Sequence, residues 1–204
     1  MTAGGGRVTA LARYAFRFEL GMWRSLARWA LRRPAVEPGG TPFAYRGPIV
    51  APLLVFFVLS VVEVVALDLI VSLPWLRVVL LVLGVWGAVF MLGMLAAVTV
   101  RPHVVGPSGL RVRYGTILDV LVPWDAVAAV RRLRRSREGR TLQLDGATLH
   151  VLISHETTVV VTLSRPVPVT LPRDRTAEVT ELRFHADDAA GLVAAARVRA
   201  GARP

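Results

Sequence analysis

A run of arginines in the second half of the chain offers the most concentrated chemistry in this sequence. Six arginines fall within ten positions, at Arg131, Arg132, Arg134, Arg135, Arg137 and Arg140. A guanidinium is planar and presents several N–H donors, so such a cluster suits phosphate or carboxylate groups. We favour contact with anionic lipid headgroups; a solvated hairpin and a protein or nucleic-acid contact stay open. The stretch has no interleaved aromatic residues, which argues against nucleic acid.

Two acidic residues, Glu63 and Asp68, interrupt the most apolar part of the chain. A carboxylate is costly to place in a bilayer, so each is a candidate functional residue if this part is embedded in a membrane. A turn at Pro74 would bring Asp68 level with Arg77, and the two can then pair. Glu63 has no cation within reach, so we predict that it is protonated and hydrogen-bonds to backbone or to Trp86. The alternatives are a proton relay and a docking point for another membrane protein.

The patterns that support catalysis or metal binding are missing from this sequence. It contains no cysteine, and its four histidines are not spaced as metal ligands. The glycine-rich stretches lack the Lys-Ser/Thr pair of a phosphate-binding loop. No serine or acid cluster suggests a nucleophile with its base. We therefore expect no enzyme, no metal and no cofactor.

Two apolar runs, 49–73 and 75–100, dominate the first half of the chain. Each exceeds the roughly 20 residues that a helix needs to cross a hydrocarbon core of about 30 Å. Because only Pro74 separates them, we predict a transmembrane helical hairpin over 48–100. The second run carries two small-xxx-small pairs, which begin at Gly84 and Gly93 and allow close helix approach. One pair would serve contact with the first span and the other self-association.

The positive charge flanks this hairpin on both sides. The net charge is +11 and comes wholly from arginine, since the chain has no lysine. Arginine near the ends of membrane spans marks the cytoplasmic side. We therefore predict a multi-pass protein of the cell membrane with both termini in the cytoplasm and the Pro74 turn outside. The arginine, alanine and valine bias suggests a high-GC, actinobacterial type of genome.

The arm over 1–47 combines a predicted helix, 7–33, with a Pro/Gly-rich connector. Apolar residues recur every three or four positions along the helix, with arginines on the opposite stripe. A basic helix with aromatic residues suits an anionic membrane surface, and a helix packed on the following domain is the alternative. The proposed surface residues are Arg13, Arg17, Arg24, Arg28, Trp23 and Trp29. Phe43, Tyr45 and Arg46 are then expected as anchors at the headgroup level.

The segment 101–204 changes to a strand-like pattern. Apolar and polar residues alternate over several short stretches separated by turn residues. These stretches are 110–114, 117–122, 127–133, 141–144, 148–153, 159–163 and 178–184. A helix is predicted over 187–199, with acids in its first turn and arginine at its end. About seven antiparallel strands closed by one C-terminal helix predict a barrel of the pleckstrin-homology-like (PH-like) plan.

Four stretches of this segment resemble the bacterial PH-like domains that occur beside paired membrane helices. They are 109–115 (GLRVRYG), 122–127 (VPWDAV), 161–167 (VTLSRPV) and 184–188 (FHADD). The resemblance covers about 101–200 and, loosely, the hairpin. It implies a PH-like fold and membrane association, and it implies no catalytic residues. The arginine-rich helix of the arm is not part of the common pattern of such proteins.

The sequence thus predicts a membrane α-hairpin followed by a soluble β-domain, over 48–100 and 101–204. The function that we expect is a non-enzymatic adaptor or scaffold that binds a protein or anionic lipid at the cytoplasmic face. The alternative is an accessory subunit of a membrane transport or export assembly, docked through its helices. The expected partners are the membrane, anionic headgroups and an unidentified protein, with self-association as one form; nucleic acid is not expected.

Overall fold

Most of the helical residues lie in the first half of the chain, and most of the strands lie in the second half. The computed structural model describes residues 3–172 and 175–201, with side chains described from Phe16 onward except at Arg17. The helices are α1 (Ala3–Ala30), α2 (Gly47–Ile70), α3 (Pro74–Val100) and α4 (Ala189–Gly201). The strands are β1 (Thr41–Phe43), β2 (His103–Gly106), β3 (Gly109–Tyr114), β4 (Leu118–Val122), β5 (Val127–Ser136), β6 (Leu142–Asp145), β7 (Thr148–Val151), β8 (Glu156–Leu171) and β9 (Arg175–Phe184).

Helices α2 and α3 form an apolar hairpin. Both are long and apolar enough to cross a membrane. At the turn, Arg77 donates through Nε and Nη2 to the two carboxylate oxygens of Asp68, with Nη2 to Oδ2 at 2.6 Å. The pair expected from the sequence is therefore present. Farther along, a Cβ at Gly84 would overlap Val64 of α2, so this glycine lets the two helices approach closely.

Helix α1 packs on the C-terminal half of α3. Met22 is buried, and a Cβ at Gly93 would overlap its side chain. Phe18 lies beside Phe90 with ring centroids 6.3 Å apart. Helix α1 therefore covers Gly93, whereas Gly84 lies against α2.

Replacing Gly93 with valine is expected to lower the free energy of unfolding by about 1–3 kcal/mol, since the new side chain overpacks the contact with Met22. Gly87→Val on the same helix is the matched control. A Cβ at Gly87 meets nothing within 4 Å, so we expect a change within about 0.5 kcal/mol. Thermal unfolding in one detergent measures both variants, and limited proteolysis reports detachment of α1. Equal melting temperatures would contradict the packing described.

The strands form two sheets. The first has the order β1-β2-β3-β4 and is antiparallel throughout. The second has the order β5-β8-β9-β7-β6, in which only β7 and β9 run parallel. Strand β4 shows why these residues form strands: its positions alternate between buried and exposed, as one face meets the core.

The predicted closed barrel is wrong. A short 3-10 turn, Trp124–Ala126, separates β4 from β5 and leads the chain from the first sheet into the second. Within the described strands, β1 and β4 remain the edges of one sheet, and β5 and β6 the edges of the other. A barrel requires edges that pair with each other, so these sheets pack over a shared core instead.

One apolar core joins both sheets to α4. It includes Leu110 and Val122 of the first sheet and Leu182 and Phe184 of the second. Leu192 of α4 is fully buried in the same cluster. The predicted C-terminal helix is therefore present and covers the core.

The connector between α1 and α2 belongs to this domain. Strand β1 pairs with β2, with Thr41 opposite Val105. Phe43 and Tyr45 are buried, and Tyr45 is completely inaccessible. The expectation that both residues are anchors at the headgroup level is wrong, because their side chains fill space beside the first sheet.

Candidate functional site

The arginine run lies on an edge strand and on the loop that follows it. Four of its members are on β5, which is the outermost strand of the five-stranded sheet. The pairing with β8 is irregular between Arg132 and Arg135, and this part of β5 extends past the buried core. Arg137 and Arg140 occupy the connection to β6. The fold thus places four arginines along one edge of the sheet and two on the connection that follows.

Two of these arginines have partners within the domain. Arg134 donates to both carboxylate oxygens of Glu156, at 2.8 and 3.1 Å. Arg137 donates to Gln143 Oε1 and to Asp145 Oδ2, both at 2.8 Å. These hydrogen bonds lower the pKa of Glu156 and of Asp145 below their ordinary values. Arg134 therefore links β5 to β8, and Arg137 links the connection after β5 to β6.

The other members of the run have no side-chain partner among the residues that the structure describes. Arg131, Arg132 and Arg135 are exposed on β5, and Arg140 is exposed in the following loop. Arg140 also borders a groove of about 480 Å³ that Tyr114 and Leu142 line. These guanidinium groups are available to an anionic ligand.

Helix α4 contacts the first half of β5. Arg197 of α4 donates through Nε to the carbonyl oxygen of Val130 at 3.2 Å. The arginines begin at the next residue. An edge strand presents a row of backbone donors and acceptors that another chain can pair with. Charged side chains on such an edge also keep two edges from pairing with each other.

The proposed membrane-surface residues of α1 divide into two groups. Arg24, Arg28, Trp23 and Trp29 are exposed, whereas the side chains of Arg13 and Arg17 lie outside the described residues. The ring of Trp23 packs edge-on against that of Trp86 at 6.2 Å. A Cβ at Gly21 would lie 3.0 Å from the side chain of Thr116 in the β3–β4 turn. The described part of α1 therefore packs on α3 and on the β3–β4 turn, and Arg24 and Arg28 lie on its exposed surface.

Glu63 does not form the hydrogen bond that the sequence predicted, among the residues that the structure describes. Its side chain is exposed on α2, a helix without buried residues. No hydrogen bond from Glu63 to backbone or to Trp86 occurs in the described part of the chain, so the predicted bond is wrong. Its carboxyl group is instead exposed at the surface of α2. An exposed carboxyl group in an apolar helix is thus open to a partner outside the monomer.

A buried polar cluster, which the sequence patterns did not reveal, fixes the start of α2. Tyr45 accepts a hydrogen bond through its hydroxyl oxygen from the Gly115 N–H at 2.7 Å, and its ring stacks on His103 at 4.6 Å. Burial raises the pKa of the Tyr45 hydroxyl above its ordinary value. The Asp187 carboxylate accepts from the Gly47 N–H at 3.0 and 3.2 Å, where a negative charge is favourable at a helix N-terminus.

His103 is held as a neutral ring in this cluster. Nδ1 accepts from the Arg113 N–H at 3.1 Å, so the ring proton is on Nε2, which donates to the carbonyl oxygen of His185 at 2.9 Å. Burial lowers the pKa of His103 to about 4. The cluster is structural: it ties the connector, β2 and the β3–β4 turn together.

Similarity to known proteins does not assign a function to these surfaces. Comparisons with protein-family models, curated proteins and solved structures find no match. Within residues 3–172 and 175–201, no group of three or more histidine or acidic side chains is arranged to hold a metal ion. The candidate binding residues are therefore the exposed arginines of β5 and the exposed Glu63.

Proposed function

We propose that this chain is a non-enzymatic, membrane-anchored adaptor that offers the arginines of β5 to an anionic partner at the cytoplasmic face. Helices α2 and α3 span the cell membrane, and both termini are cytoplasmic. The observation that carries the proposal is a set of exposed guanidinium groups on edge strand β5 that have no partner among the described residues: Arg131, Arg132 and Arg135. A relation of this domain to bacterial PH-like domains is part of the proposal and rests on the sequence resemblance.

The packing around α3 supports the membrane placement. Its last two turns contact α1 and the β3–β4 turn around Met94 and Val98. Helix α3 has 27 residues, so at about 1.5 Å per residue it is long enough both to cross a core of about 30 Å and to reach this contact. The soluble domain then follows the cytoplasmic end of the span directly, because β2 begins at His103.

The partner is an anionic lipid headgroup or an acidic segment of a protein. Basic residues near an anionic membrane surface contribute about 1 kcal/mol each. An open strand edge also allows an extended peptide to pair with it. Both partners bring phosphate or carboxylate oxygens to the same guanidinium groups.

Photocrosslinking in the native membrane tests the proposal. Leu133 lies among the arginines and is 38% exposed, so a photoreactive amino acid at this position reports what binds the surface. We expect adducts with lipid or with a protein, and mass spectrometry tells them apart. Replacing Arg131 and Arg135 with glutamine should reduce the adducts by about tenfold or more, since two charges contribute about 2 kcal/mol.

The double variant Arg165→Gln, Arg175→Gln removes the same charge elsewhere in the domain and should leave the adducts unchanged. Equal losses in both double variants would show a general charge effect and would contradict a specific site. A Leu133 probe that reacts only with water would also overturn the proposal.

A second candidate function rests on Glu63. Its exposed carboxyl group, on a helix with no buried residue, favours an accessory subunit that docks in the membrane on another assembly. Glu63→Gln keeps a hydrogen-bonding side chain and should leave the adducts at position 133 unchanged. If the variant instead loses a membrane protein that co-purifies with the wild-type chain in mild detergent, the subunit function is supported over the adaptor.

A further inference from the structure

A second basic site lies where α1 and α3 end side by side. The two C-termini enclose a cleft of about 460 Å³, which is lined by Trp29, Arg32, Arg33, Pro34, Thr99 and Val100. Its walls are mainly apolar, whereas Arg32 and Arg33 are exposed at its border. The cleft is separate from the β5 surface, since none of its lining residues belongs to the two sheets.

Arg101 adds a third cation directly after the last residue of α3. Its side chain is partly buried and makes no hydrogen bond or ion pair within the described residues. Asp119 is the acidic group that acts on it, but this carboxylate is already held by Arg111 at 2.6 and 2.9 Å. Burial lowers the pKa of Arg101, and the nearby positive charges of Arg113 and Arg28 lower it further.

The helix dipoles do not account for this much positive charge. Each helix C-terminus carries the equivalent of about −0.5 elementary charge. The terminal carbonyl of α3 is also occupied, because Val100 accepts from the Ala35 N–H at 2.7 Å. Together the two helix ends offset about one of the four cations Arg28, Arg32, Arg33 and Arg101. The remaining positive charge favours the binding of an anion from outside the chain.

The position of the cleft relative to the span restricts what that anion is. If α3 crosses the hydrocarbon core from Pro74 to Gly93, Val100 lies about 10 Å beyond the core boundary, at 1.5 Å per residue. Headgroups occupy a layer of several Å on each side of the core, and an arginine side chain reaches back into it. Trp29 is 41% exposed beside these arginines, and tryptophan is enriched at this level of membranes.

We propose that the cleft binds the headgroup of an anionic phospholipid, with its phosphate at Arg32 and Arg33. Arg101, which follows the lining residue Val100, adds positive charge nearby. The indole of Trp29 packs against the glycerol and upper acyl region. This inference rests on the proposed membrane placement, because a cleft far from a bilayer would not meet a lipid. It does not depend on what the β5 arginines bind.

Native mass spectrometry of the purified full-length chain tests the site. The protein is offered phosphatidylglycerol or phosphatidylcholine in the same detergent, and the retained lipid is counted. We expect the wild type to retain phosphatidylglycerol, and the double variant Arg32→Gln, Arg33→Gln to reduce this retention by about 30-fold, since two charges contribute about 2 kcal/mol. Adding Arg101→Gln should reduce it further. The control Arg165→Gln, Arg175→Gln removes equal charge outside both basic sites and should retain as much phosphatidylglycerol as the wild type.

Several outcomes overturn this site. Equal retention of the two lipids by the wild type shows no preference for the anionic headgroup, and equal loss in the two double variants shows a net-charge effect. Inorganic phosphate that displaces the lipid at millimolar concentration shows an ion site rather than a lipid site. A chain extracted from membranes by alkaline wash refutes the membrane placement, whereas an integral chain without lipid preference refutes this cleft alone.

Discussion

Tyr45→Ala is expected to lower the free energy of unfolding by about 3–5 kcal/mol, the usual cost of truncating a buried aromatic residue. The side chain is completely inaccessible and packs between His103 and Tyr114. Its removal leaves a cavity and deprives the Gly115 N–H of its acceptor. Because Tyr45 lies two residues before α2 begins, its loss should also loosen the domain from the hairpin. Hydrogen exchange of the β3–β4 turn in detergent measures both effects.

Tyr45→Phe separates the hydrogen bond from the packing. It keeps the ring but leaves the buried Gly115 N–H unpaired, which should cost about 1–3 kcal/mol. A headgroup-level Tyr45, as the sequence alone suggests, would behave differently. In that case both substitutions would be nearly neutral in detergent, and exchange of the β3–β4 turn would not change.

Stability is expected to fall as the pH drops from 6.5 towards 4, mainly because of His103. Burial lowers the folded-state pKa of His103 from 6.5 to about 4, so the unfolded chain binds the extra proton in this range. The stabilisation is therefore complete above pH 6.5 and is lost as the pH falls to 4. Each pKa unit corresponds to about 1.4 kcal/mol, which gives a total of about 3 kcal/mol. Protonating Nδ1 would also break its bond with the Arg113 N–H.

Denaturant unfolding across this pH range, in one detergent, measures the effect. His103→Gln should lose most of the pH dependence, because glutamine does not titrate. His155→Gln is the control, since His155 is exposed and its replacement should leave the slope unchanged. Burial also lowers the pKa of His150, so His150→Gln should remove a smaller part. A slope that survives His103→Gln in full would refute the assignment to His103.

The sequence predicts the elements whose hydrophobic pattern is strong. The two apolar runs appear as α2 and α3, and the alternation of 117–122 becomes β4 (Leu118–Val122). Strand β8 is longer than expected because it continues through Pro166 and Pro168. Past Leu163 it pairs with β9 alone, and proline is tolerated on such a locally unpaired edge.

Strands β1 and β2 escape prediction for two physical reasons. All four residues of β2 are buried, so the strand shows no alternation and follows α3 after only two residues. Strand β1 has three residues and contains Pro42, which local propensity disfavours in a strand. Long-range pairing creates both strands, and a single sequence does not reveal that pairing. The same limit led to the wrong assignment of Tyr45.

The sequence predicts which residues make up the candidate sites, but it does not predict which of their side chains form ion pairs. The arginine run identifies a basic surface, yet the contact of Arg134 with Glu156 depends on the register of β5 and β8. The Asp68–Arg77 pair follows from a short turn, so it was within reach of the sequence. The direction of Glu63 depends on the rotation of α2 about its own axis, which apolar residues on all sides leave undetermined.

The position of β1 has a consequence for how this protein is made. The ribosome completes β1 before either helix of the hairpin, whereas its partner β2 emerges only after both. If the hairpin inserts as proposed, the first sheet closes only once both spans have left the translocation machinery. A fragment starting at residue 101 would lack β1 and Tyr45 and would expose the edge of β2. Under the proposed insertion, completion of the first sheet is thereby coupled to synthesis of both spans.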